Sequence, residues 1–161
     1  MRKSMLLFSV VCLAATVAFG QGKISSGWNC AKPSTAQNID VGDQPGHAYG
    51  VNQFKCTATK GEIAGVKEKE GTGTESAEMT SKGSSAHGMF IETLANGDKI
   101  HISYESTGTM KDGKMTGSNK WKIEEGTGKF KGIKGSGSCT GTANADMSST
   151  YTCNGTYTGL K

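Results

Sequence analysis

From residue 21 onward the chain has no arginine, only two prolines (Pro33 and Pro45) and no hydrophobic run long enough to cross a bilayer. Without arginine it lacks the planar, bidentate donor favoured at phosphates and base edges, which argues against specific nucleic-acid binding. No stretch repeats apolar residues at helical spacing, which argues against a helical fold. The sequence also lacks the short C-x2-C spacing that presents two thiolates to one metal, and no Gly-Lys-Ser/Thr loop follows a strand. No metal site and no cofactor are therefore expected. No nucleophile stands beside a base, so no catalytic residue is assigned.

The longest apolar run lies at the start. Arg2 and Lys3 precede an apolar stretch from Met5 to Val17, and Ala18-Phe19-Gly20 places small residues three and one positions before Gln21. This is the order of a cleaved signal peptide over residues 1–20, and the run is too short to be a comfortable membrane span. Cys12 follows Ser9-Val10-Val11 and lacks the small residue that a lipoprotein cut needs immediately before it. The expectation is a secreted or periplasmic protein with no stable membrane insertion after cleavage. Loss of Arg2 and Lys3 takes the basic count from 18 to 16 against 14 acids, so the net charge falls from +4 to +2.

Four cysteines remain after the cut: Cys30, Cys56, Cys139 and Cys153. An even number of separated cysteines in an exported chain reads as two disulfides, for which three pairings exist. Glycine is abundant, and short alternating runs are rich in Thr, Ser, Ile, Val, Tyr and Trp, the composition of strands joined by turns. Eight strands are expected: 49–59, 62–68, 74–81, 87–94, 99–109, 114–124, 132–142 and 150–159. Closing such a meander removes its exposed edges. The expected architecture is all-β, a single closed or nearly closed antiparallel barrel with a disulfide-strapped N-terminal loop. Residues 21–48 form the irregular segment and 49–161 the barrel domain.

Asn96-Gly97 and Asp112-Gly113 both read as two-residue hairpin tips. With that register Thr93 faces Ile100, Ile91 faces Ile102 and Met89 faces Tyr104. Across the next turn Ile102 faces Ile123, Tyr104 faces Trp121 and Met110 faces Met115. Met89, Ile91, Ile102, Tyr104, Trp121 and Ile123 thus line the expected core or cavity. The same register sets Glu92, His101 and Glu124 in a row on the other face, extended by Ser103 beside Lys122 and Glu105 beside Lys120. Such a row is a candidate acid–base or ligand site; as a solvated exterior ladder it contributes only about 0.2–1 kcal/mol per pair, and we favour that reading. Antiparallel pairing of the last two strands places Cys139 opposite Cys153, leaving Cys30 for Cys56. His47 and His87 read as surface residues. Asn154-Gly155-Thr156 fits either a turn or a glycosylation acceptor. Trp28 reads as a plug over a barrel mouth.

The run from Glu125 to Gly135, Glu-Gly-Thr-Gly-Lys-Phe-Lys-Gly-Ile-Lys-Gly, resembles the G-G-T-G-[KR]-F-x-G-x-x-G turn of the allene oxide cyclase and dirigent β-barrels. It is also similar to a turn in small secreted bacterial proteins. The resemblance extends from near Thr74 to Thr142, with Glu125 where a glycine is usual, and it implies a calycin-like eight-stranded barrel. Read from the residues themselves, Phe130 and Ile133 plug the barrel end and the glycines allow close backbone approach. An eight-stranded barrel is either filled by side chains or holds one small ligand. The leading reading is a non-catalytic module that binds a small apolar ligand or serves a structural role. The alternatives are an isomerase or cyclase acting on an apolar substrate inside the barrel, and a homo-oligomer joined through the outer face.

Overall fold

The structure is a computed structural model that describes residues 20–111 and 114–160. The expected signal peptide up to Phe19, Cys12 within it and the Asp112-Gly113 tip lie outside the described residues.

The described chain is all β apart from one short turn of 3-10 helix. Its strands are β1 (Gly22–Cys30), β2 (Thr35–Asp40), β3 (Ala48–Lys60), β4 (Glu62–Ile63), β5 (Val66–Thr80), β6 (Gly83–Leu94), β7 (Lys99–Lys111), β8 (Lys114–Gly126), β9 (Lys134–Ala143) and β10 (Ser149–Thr158). Pairing runs β3-β1-β10-β9-β8-β7-β6-β5, and β5 returns to β3, which closes an antiparallel barrel of eight strands. β2 lies outside this ring, paired with the first half of β3, and β4 pairs only with the start of β5.

The barrel has the expected eight strands, with β2 and β4 in addition, but two of the eight differ from those expected. The segments expected at 62–68 and 74–81 are largely one strand, β5, which runs through Gly71 and Gly73 with a bulge between Glu68 and Glu70. The expected irregular segment at 21–48 contains β1 and β2, so Cys30 sits in a barrel strand and not in a strapped loop. In β1 the residues Ile24, Ser26, Trp28 and Cys30 alternate inward, and pairing with both β3 and β10 makes β1 the strand that closes the barrel.

Both disulfides join residues directly opposite each other across neighbouring strands. Cys30 pairs with Cys56 between β1 and β3, and Cys139 with Cys153 between β9 and β10, with Cα–Cα separations of 3.9 and 4.0 Å. Each closes a chain loop, the type of crosslink that typically stabilises by about 2–4 kcal/mol.

The expected β6 register is displaced by one residue. Thr93 pairs with Lys99, Ile91 with His101 and Phe90 with Ile102. Asn96-Gly97 is not a two-residue tip. The Leu94 N–H donates to the Asp98 carbonyl across the three residues Ala95, Asn96 and Gly97, with Gly97 at φ 87° and the Asp98 N–H bonded to the Asn96 side chain. A three-residue loop of this kind carries its glycine in the left-handed region. Because side chains alternate with period two, the slip turns β6 over: Phe90, Glu92 and Leu94 face in, and Met89 and Ile91 face out. On β7–β8 the expected pairs stand, with Ile102 opposite Ile123, Tyr104 opposite Trp121 and Met110 opposite Met115.

One end of the barrel is solid. Ile63, Leu94, Ile100, Ile123, Phe130 and Ile133 are all at most 1 % exposed, and Phe130 is inserted by the Gly128–Phe130 turn between β8 and β9. Farther up, glycines make room for rings. Gly155 lies within β10, not in a turn, and a β-carbon there would overlap both the Trp121 ring and the Ser136 carbonyl oxygen. Since the backbone oxygen cannot yield, Gly155→Ala should destabilise the protein by about 1–3 kcal/mol, read as a lower denaturant midpoint at unchanged slope.

Candidate functional site

Above the solid end the barrel is hollow. A cavity of about 240 Å³ runs up the barrel axis, walled by the rings of Trp28, Phe54, Phe90, Tyr104, Trp121 and Tyr151 and by both disulfides. Exposed Ala31 and Met147 also line it, which sets its mouth beside the β9–β10 hairpin. Inward glycines of the neighbouring strands make room for these rings. β-Carbons at Gly71 and Gly73 would collide with Phe90 and Phe54, and one at Gly141 with Tyr151. Trp28 packs edge-on against Phe90 with centroids 5.2 Å apart. It is 7 % exposed and forms cavity wall instead of a lid over the mouth.

Ile102, Tyr104, Trp121 and Ile123 of the expected lining face this space. Met89 and Ile91 do not, because the β6 slip places them on the outer surface, where Met89 is 39 % exposed.

Three carboxyl groups point into the barrel. Glu75 lines the cavity and accepts a 2.9 Å hydrogen bond from the Tyr104 hydroxyl. The two residues stand two strands apart and meet across Gly88, where a β-carbon would come within 2.8 Å of Glu75 Cβ. Burial and the Glu75 charge together push the Tyr104 phenol well above its ordinary range. Glu68, deeper in the barrel, accepts a 2.9 Å hydrogen bond from the Ser26 hydroxyl through Oε1, while its buried Oε2 has no partner. Burial pushes Glu68 up to about 7, although the Ser26 bond opposes this. Glu92 is 2 % exposed, and burial together with the Glu68 charge raises it far above the usual carboxylate range. Asn119 Oδ1 and Trp121 Nε1, on two further lining residues, are also buried without a partner.

The expected Glu92, His101 and Glu124 row does not form. Glu92 is inside the barrel, whereas His101 is outside, opposite Ile91, with Nδ1 2.8 Å from Glu125 Oε1. A bulge between His101 and Ile102 sets Glu125, not Glu124, across from His101. Glu124 instead accepts from the Ser103 hydroxyl at 2.6 Å and from Lys122 at 3.3 Å, and these bonds lower its pKa. Ser103 pairs with Lys122 and Glu105 with Lys120 in the expected exterior ladder. The row therefore brings no acid–base site together.

His87 lies on the exterior, 2.9 Å from the Ser76 hydroxyl. His47 is clamped between Asp43 at 2.7 Å and Glu78 at 3.0 Å, with the Asp43 bond the larger cause of its raised pKa. Among the described residues no group of three or more His, Cys, Asp or Glu side chains is placed to hold a metal ion.

Sequence reasoning missed Trp28, Phe54, Phe90, Tyr151, Glu68 and Glu75 as site residues. For Trp28 the signal was present in the inward alternation Ile24, Ser26, Trp28, Cys30. Glu68 offered none, since Val66-Lys67-Glu68-Lys69-Glu70 has the composition of a solvated edge. Compared with protein-family profiles and with curated proteins, this chain matches none.

Proposed function

We propose that this protein is an exported, non-catalytic binding barrel that takes one small, largely apolar ligand into its axial cavity. The observation that carries this reading is a ring-walled cavity that reaches the surface at one end of a barrel packed solid at the other. Sites for drug-sized ligands usually occupy about 300–1,000 Å³, so about 240 Å³ suits a smaller molecule. The two disulfides stiffen the cavity wall and agree with export to an oxidising compartment.

Titration with the neutral fluorophore N-phenyl-1-naphthylamine should give a saturable, single-site rise in emission. Ile102→Trp, which fills the cavity, should abolish it. Absence of saturable binding to the unmodified protein would refute the reading. A second reading, an isomerase that moves a proton on an apolar substrate, is favoured by Glu68, whose pKa near 7 in a low-dielectric site suits acid–base work. Deuterium from heavy water appearing at carbon in a ligand recovered from the barrel, but not with Glu68→Gln, would decide for it.

A further inference from the structure

We propose that the ligand is an organic cation, a small amine whose ammonium group sits on the Glu75 carboxylate while its apolar body lies against the cavity's aromatic rings. This rests on the binding reading above and narrows it to one ligand class.

The charge of the lining is one-sided. Glu68 and Glu75 line the cavity, no lysine among the described residues does, and the sequence from residue 21 onward has no arginine. Glu68 is buried and Glu75 half-buried; a carboxylate drawn out of water without a cation is costly, and a ligand anion brought beside it would add repulsion to desolvation. A ligand cation would supply the missing partner. Glu75 is placed to receive it, because the Tyr104 hydroxyl fixes one carboxylate oxygen and the other has no hydrogen bond or ion pair among the described residues. Gly88 stands opposite Glu75 on β6, which leaves room for the carboxylate to lean towards Tyr104, and Glu75 itself lines the cavity.

The neutral groups agree. Six aromatic rings wall the cavity, and a desolvated cation is attracted to the electron-rich faces of such rings. Asn119 Oδ1 offers a buried acceptor without a donor, which an ammonium has to spare once it has bonded a carboxylate. Trp121, 8 % exposed, has a buried Nε1 donor without an acceptor, so the ligand carries a hydroxyl, ether or carbonyl oxygen as well. If Glu75 and Tyr104 were merely a satisfied core pair, the cavity would have no preference among ligand charges.

The test uses three probes of one shape, 1-naphthylmethylamine, 1-naphthalenemethanol and 1-naphthoic acid, each displacing N-phenyl-1-naphthylamine at pH 7.5. The amine should bind at least tenfold more tightly than the alcohol, and the acid most weakly. Glu75→Gln should bring amine and alcohol to within about threefold of each other. Equal affinities in the unmodified protein, a preference for the acid, or no displacement by any of the three would overturn the inference while the binding reading stands. Failure of N-phenyl-1-naphthylamine itself to bind would remove both. The unmodified protein decides the ligand class even if Glu75→Gln does not fold, and a preference that survives in folded Glu75→Gln would overturn the role of Glu75.

Discussion

Phe130→Ala is expected to lower the unfolding free energy by about 3–5 kcal/mol, the range for removing a fully buried aromatic ring. Phe130 has no exposed surface and occupies the centre of the solid end with Ile63, Leu94, Ile100, Ile123 and Ile133. It is held there by its own turn, with Phe130 N–H donating to the Thr127 carbonyl and Ile133 N–H to that of Phe130. Asp98 accepts from the Lys129 N–H, while Lys129 Nζ reaches the Ala64 carbonyl and lies 5.3 Å from the ring centroid. A turn anchored on three sides cannot collapse into the space the ring leaves, which puts the cost towards the upper part of the range. Denaturant titration should show a lower midpoint with an unchanged slope. Probe binding to the folded variant should persist, because Phe130 does not line the cavity. A loss of about 1 kcal/mol or less would mean that the ring does not hold the barrel end.

That plug was legible in the sequence because its signal is local. Four glycines around Phe130 and Ile133 leave few places for two large apolar side chains other than the end of a barrel. The cysteine pairing was also legible, since two alternating strands across one loop fix which residues stand opposite. What could not be read was the register of β6. Met89, Phe90 and Ile91 are contiguous apolar residues, so either register buries something hydrophobic, and the choice falls on the turn. Asn-Gly serves both two- and three-residue loops, and the odd loop carries Glu92 into the core. Burial of an unpaired carboxyl is what a pattern-based assignment rejects first, which is why the true register looked the worse one. The site inherits the difference: its acids occupy positions that alternation would give to apolar residues.

Those acids should leave a signature in the pH dependence of stability. Glu68 has an ordinary pKa of 4.5 when the chain is unfolded and about 7 when it is folded. The folded state therefore binds the proton more tightly. The contribution of Glu68 is fully favourable below pH 4.5, declines as the pH rises to about 7, and settles at its least favourable value above that. A difference of this size corresponds to ~3 kcal/mol, at about 1.4 kcal/mol per pKa unit. Glu92 acts in the same direction and continues the decline to higher pH, because burial and the Glu68 charge both raise it. Glu68→Gln removes the titrating group and that charge together, while the Ser26 hydroxyl keeps an amide oxygen to bond. The variant should match the original near pH 4.5 and become progressively more stable than it towards pH 8, as thermal midpoints across that range would show. The clamped His47 also loses stability as pH rises, and exterior Asp43 and Glu124, with lowered pKa values, lose it as pH falls. All three stay in both proteins and cancel in the difference. Parallel curves, or a variant whose deficit grows with pH, would mean that Glu68 is not held protonated by its burial.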